Sequence, residues 1–63
     1  MIALPPAPQP GEHISGERVP PRTYRGRPMY AAGIVTRVHP HALEIVNADG
    51  FRTIAASTAR RTR

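Results

Sequence analysis

The side chains able to do chemistry are few, and their spacing limits what each can do. His39 and His41 flank Pro40 in "VHPHAL". A structural or catalytic zinc site needs three or four protein ligands, and these two have no obvious third ligand in a chain without cysteine. The two histidines therefore read as turn residues facing solvent. Ser15 and Ser57 lie in polar segments with no base and orienting acid at a spacing that would activate a hydroxyl. Of the four carboxylates, Asp49 belongs to an Asp-Gly turn signal and Glu44 to the polar parity of an alternating segment, which leaves Glu12 and Glu17. So small a chain also has little mass from which to build a water-excluding pocket. We expect no catalytic residue, no metal and no cofactor: a protein that acts by binding.

Nine arginines stand against four acids, with no lysine, for a formal charge of +5. That balance suits a polyanion or an acidic protein surface. Arg22, Arg25 and Arg27 lie in one segment with Tyr24, while Arg60, Arg61 and Arg63 end the sequence. If the two clusters meet, Tyr24, Arg25, Arg27, Arg60, Arg61 and Arg63 form one basic rim. Guanidinium forks bind phosphates and rings stack bases, so such a rim suits nucleic acid as well as an acidic partner.

The opening "MIALPPAPQP" holds four prolines and no charged side chain. Proline fixes φ and removes an amide donor, so residues 1–11 read as an extended polyproline-type arm. An extended arm has little conformational entropy left to lose when it docks. Ile2 and Leu4 are its apolar anchors, and Pro5, Pro6 and Pro8 complete a candidate protein interface. The arm lacks the basic start and continuous apolar stretch of a signal peptide, and no apolar run approaches the roughly 20 residues of a membrane-spanning helix. The expected setting is soluble and intracellular, or within an assembly made inside a cell, with no membrane partner.

Positioning these residues falls to a unit of 63 residues at most. A chain that short buries only about 60% of the surface its unfolded form exposes. With no disulfide available, packing or a partner must stabilise it. Segment 12–19 supplies a short first strand around Arg18 and Val19, ended by Pro20 and Pro21, and 20–28 reads as a basic surface loop. The best strand is 29–38, where Tyr30, Ala32, Ile34, Thr36 and Val38 share one parity and Gly33 marks a bend or bulge. A tight connection at 39–42 leads to a strand at 43–47. Asp49-Gly50 is a hairpin signal, and 51–55 is the returning strand. Small residues at 56–59 suit one turn of 3₁₀ helix with Ser57 or Thr58 as cap, with a last strand near Arg60. Period two fits this pattern and period 3.6 does not, so Ile34, Val38, Leu43, Ile45, Phe51 and Ile54 are the expected core.

The succession of a basic loop, "YAAGIV", "RVHPHALEIV" and "NADGFRTI" before a short basic end resembles an SH3-like small β-barrel of the Tudor or KOW kind, over roughly residues 18–61. The resemblance implies an all-β fold, a small barrel of four to five short antiparallel strands over residues 12–63, with the Pro-rich arm in front. Closure of such a sheet removes its vulnerable edges. A Tudor-type cage would draw on Tyr24, Tyr30 and Phe51, with Asp49 as its acidic wall, and three rings are too few for it. The resemblance therefore carries over the fold and no ligand. The resulting expectation is a structural or accessory component of a multi-chain assembly, such as a virion of a phage with a GC-rich host, contacting neighbours through its arm and basic rim. A small nucleic-acid-binding module and a small regulator clamping a host enzyme are the alternatives.

Overall fold

A computed structural model of the chain describes residues 7–62. Ile2, Leu4, Pro5, Pro6 and Arg63 lie outside the described residues. The described chain is all-β apart from one 3₁₀ turn. In order it forms β1 (His13–Glu17), β2 (Thr23–Tyr24), β3 (Arg27–Pro28), β4 (Tyr30–Val38), β5 (Ala42–Asn47), β6 (Gly50–Ala55), the 3₁₀ turn Ala56–Thr58, and β7 (Arg60–Arg61). Five of these strands make one antiparallel sheet in the order β6-β5-β4-β1-β7, and β2 pairs with β3 as a separate ribbon. No helix among the described residues is long and apolar enough to cross a membrane.

Directly opposed residues of an antiparallel ladder point to the same face, so the register sorts the side chains. Val35 opposes Ile45 and Leu43 opposes Ile54. These four and Ile14, opposite Gly33 on β1, are the fully buried core. Ala31, Ala56 and Ala59 pack around it. Five aliphatic side chains and no aromatic make a small core. Ile54 also reaches over Gly16, where an added Cβ would stand 2.9 Å from Ile54 Cδ1.

Three members of the expected core lie outside it. Ile34 is 39% exposed, Val38 44% and Phe51 70%. Ile34 and Val38 do not share a face, because a β-bulge between Val35 and Arg37 slips the pairing with β5 by one residue at Thr36. Before the bulge, Val35 faces inward and Ile34 outward. After it, Val38 opposes Leu43 on the inner side but sits at the strand end, where little covers it. Phe51 opposes Val46 on the outer face. The bulge is thus at Thr36 and not at Gly33, whose missing side chain serves a close approach: a Cβ there would overlap the Val46 carbonyl oxygen.

The first strand begins earlier than expected, at His13, and it brings Ile14 into the core. Arg18 contributes a single bridge to Ile54, and the Val19 amide donates to the Thr53 carbonyl at 2.9 Å. Among the described residues, this short stretch of pairing is what joins the far end of β1 to β6. The sheet is therefore bent back on itself but not closed into a barrel, because Pro20 and Pro21 have no amide with which to extend the ladder. The expected basic loop at 20–28 is instead a small hairpin. Arg25 (φ 53°) and Gly26 (φ 78°) form its two-residue turn, both left-handed as a tight hairpin of this kind requires.

The other turns follow the sequence more closely. β5 and β6 pair throughout, from Ala42 opposite Ala55 to Asn47 opposite Gly50, around the tight turn Ala48-Asp49. There Asn47 Oδ1 accepts from the Asp49 amide at 2.8 Å. Gly50 takes φ 104° just after the turn. The 3₁₀ turn forms as expected, but neither Ser57 nor Thr58 caps it; the N-cap residue is Ala55, with no side-chain bond. The Thr58 hydroxyl instead accepts from the Glu17 amide at 2.8 Å, tying the turn to the end of β1.

Candidate binding surfaces

The register collects apolar side chains on the outer face of the sheet. Phe51 opposes Val46, Val46 opposes Ile34, and Ile34 opposes His13, so one row crosses β6, β5, β4 and β1. Tyr30, on the same parity of β4 as Ile34, is 61% exposed, and Tyr24 on the β2–β3 ribbon is 64% exposed. All three aromatic residues of the chain are therefore on its surface. The sequence expectation put Ile34 and Phe51 in the core because residue pattern gives the spacing of a strand but not which parity faces inward, and the partner strands decide that.

Two open clefts border the face. One, of about 290 Å³, is lined by Arg18, Val19, Glu44, Phe51, Arg52 and Thr53. It puts two guanidinium groups beside the exposed ring, although Arg52 Nη1 already donates to the Phe51 carbonyl at 2.8 Å. The other lies between Ser15, Tyr30, Ser57, Thr58 and Arg60. Both volumes are at the low end for a small-molecule pocket, and both sites open to solvent along the sheet.

The residues proposed for a basic rim separate into three places. Tyr24, Arg25 and Arg27 stay together on the hairpin, with the Arg25 guanidinium 5.4 Å from the centre of the Tyr24 ring. Arg60 opposes Ser15 and faces the cleft with Tyr30. Arg61 opposes Ile14, toward the end of β1 away from the hairpin, where its Nε donates to Glu12 Oε1 at 3.0 Å. Of the arm's interface residues, Pro8 is described and half-buried. It precedes a turn in which the Glu12 amide donates to the Gln9 carbonyl and the Gly11 amide to the Val35 carbonyl.

Among the described residues, no group of three or more histidine and acidic side chains lies together as a metal site would need. His39 is not simply a turn residue facing solvent. Its Nε2 meets the Glu44 carboxylate across the β4–β5 turn. That contact, with Arg37 directly opposite Glu44, holds the Glu44 carboxyl below its ordinary range. Glu12 is lowered as well, first by the Gln9 amide that donates to it and then by Arg61. A carboxylate lowered on folding contributes stability that is present above its unfolded pKa and lost as pH falls through its folded pKa. Thermal melts from pH 6 down to pH 2 are thus expected to show a falling midpoint on the acid side of the ordinary carboxylate range. In Glu12→Gln/Glu44→Gln the fall is expected to be shallower, and an unchanged slope would remove these two groups as its source.

No family model, curated protein or solved structure matches the chain.

Proposed function

We propose that the chain is a non-enzymatic, SH3-like binding module that serves as a structural or accessory component of a multi-chain assembly, covering its outer sheet face with a neighbouring subunit. The observation that carries this reading is the placement of every aromatic side chain on the surface, with Phe51, Val46 and Ile34 contiguous across three strands. An exposed apolar residue standing alone needs no explanation, whereas a contiguous apolar row rimmed by polar groups marks an interaction surface. A chain with a five-residue aliphatic core would gain more stability from turning Phe51 inward, unless the ring is needed outside. For the SH3-like assignment, the support is the strand order β6-β5-β4-β1-β7 with a 3₁₀ turn between its two edge strands. That arrangement suits a small bent sheet whose ends approach one another. The N-terminal arm, with Ile2, Leu4, Pro5 and Pro6, is the second contact in this reading.

The test is the native mass of the chain isolated from cells that express it, compared with its own 6.9 kDa. The unaltered chain is expected in a species several times heavier. Ile34→Ser/Phe51→Ser is expected to keep its fold, because both side chains point outward, and to elute at the mass of the free chain. Removing residues 1–6 is expected to lower occupancy in the same species. An unaltered chain that is itself monomeric, or a double variant still incorporated at full occupancy, overturns the proposal.

A further inference from the structure

The β2–β3 hairpin has no role in the core or in the apolar row. From residue 18 to residue 43 the sequence holds five arginines and no acid. Three of those arginines, Arg22, Arg25 and Arg27, are on or beside the hairpin, where every residue from 21 to 28 is exposed. The ion pairs of the described chain are elsewhere, between His39 and Glu44 and between Arg61 and Glu12. Three guanidinium groups are thus held together without a carboxylate to neutralise them, at the repulsive cost that like charges exact in a small protein.

The hairpin is fixed in place and not left loose. At its base the Arg18 amide donates to the Met29 carbonyl at 3.0 Å and the Met29 amide to the Arg22 carbonyl at 2.9 Å, which continues the ladder into the main sheet. Pro20 and Pro21 stiffen the entry, and Pro28 the exit. At the tip, Tyr24 opposes Arg27, so these two share a face, and Arg22 has the parity of Tyr24. Arg25 stands at a left-handed φ of 53°, a conformation that is unfavourable for a residue with a Cβ and that glycine adopts freely. From that position its guanidinium lies against the Tyr24 ring. The result is one exposed aromatic ring with arginines beside it, on a pre-organised ribbon.

We propose that this hairpin is a contact site for single-stranded nucleic acid, in which Tyr24 stacks on a base and Arg22, Arg25 and Arg27 take the flanking phosphates. A ring among guanidinium forks matches a strand, which presents flat bases between successive phosphates. An acidic protein surface would engage the arginines but leave the 64% exposed ring without a counterpart. A duplex would likewise hide its base faces. The site is separate from the apolar row, and neither proposal depends on the other.

The experiment is fluorescence anisotropy of a labelled oligothymidylate titrated with the full chain at several salt concentrations. Binding is expected to weaken as salt rises. Arg22→Ala/Arg25→Ala/Arg27→Ala is expected to reduce the slope of log K against log salt by about 2, at roughly 0.7 for each phosphate left without its arginine. Tyr24→Ala is expected to lower affinity about 5- to 150-fold, as for loss of one stacked base, while leaving the salt slope unchanged. Arg25→Ala alone is expected to reduce the slope by roughly 0.7; Arg37→Ala, which removes one positive charge from the outer face of the sheet, is its control, and circular dichroism confirms that each variant keeps its sheet. The proposal is overturned if the oligonucleotide does not bind at low salt, or if Tyr24→Ala binds as tightly as the unaltered chain. It is also overturned if Arg37→Ala flattens the slope as much as Arg25→Ala, or if polyglutamate or duplex DNA competes as well as the unlabelled strand.

Discussion

Ile54→Ala is expected to remove most of the stability of this protein. A domain of this length is stable by about 3–9 kcal/mol at the usual 0.05–0.15 kcal/mol per residue. Truncating a buried isoleucine to alanine costs about 2–5 kcal/mol, the larger values where the surroundings cannot collapse into the space. Ile54 belongs at that upper end. It is fully buried, it opposes Leu43 across β5 and β6, and its Cδ1 occupies the space left by the missing side chain of Gly16. The other atoms bordering that space are the Ala59 Cα and the Thr58 hydroxyl, which is held by the Glu17 amide, so little can move in to fill it. Its residue is also the one bridged to Arg18, the contact that draws the far end of β1 toward β6. Urea denaturation followed by circular dichroism reads the change. Ile34→Ala provides the comparison, because Ile34 is the same residue type in the same sheet but faces outward, and its loss is expected to be under about 1 kcal/mol. Equal losses for the two variants would mean that the inward and outward parities assigned here are wrong.

That comparison also locates what was legible in the sequence. The Leu43–Ile45 alternation and the Asp49-Gly50 signal were enough to find β5, β6 and their turn, but not the faces of β6: Phe51 and Ile54 are three apart, so an unbroken period of two places them on opposite sides. The same rule applied to β4 failed after Val35. One extra residue at Thr36 exchanges the two faces, and a bulge depends on the partner strand, not on a local residue type. Ile14 was missed for a related reason: with Gly16 as the next inward residue, β1 shows a single large apolar side chain on its inner face, too little for a pattern. The hairpin at 23–28 was read as a loop because its turn carries Arg-Gly, where Asn-Gly or Asp-Gly would have announced it. Of the basic residues, the local cluster Tyr24, Arg25 and Arg27 was recoverable from adjacency alone. Its separation from Arg61 was not, since that follows from β7 pairing with β1, a contact between residues more than forty positions apart.

Gly33→Ala is expected to be nearly as damaging as loss of a core side chain, although it adds only a methyl group. Gly33 has no unusual backbone requirement; what it needs is room. A Cβ built on it would overlap the Val46 carbonyl oxygen and lie 3.0 Å from its carbon. Both are backbone atoms of β5, so no rotamer change can relieve the overlap, and the strands must separate. Ala32 and Asn47 hold them together at this point, with Asn47 Nδ2 donating to the Ala32 carbonyl at 2.8 Å. Moving β5 away breaks that bond and strains the pair formed by Ile34 and Val46. Overpacking of this kind costs about 1–3 kcal/mol, and more where rigid backbone must shift. Gly26→Ala separates the two roles a glycine can have: nothing lies within 4 Å of its Cβ position, and its φ of 78° is the only obstacle. The Gly26 variant is expected to disturb the hairpin alone, while Gly33→Ala lowers the urea midpoint of the whole sheet and speeds amide exchange at Val46 and Asn47. A Gly33→Ala midpoint equal to that of the unaltered chain would show that β4 and β5 are not in this close approach. Because Ile34 and Val46 are two of the three residues in the outer apolar row, the assembly role proposed above predicts that the same substitution weakens incorporation before the fold is lost. Loss of the row's continuity would then be separable from loss of any one of its side chains.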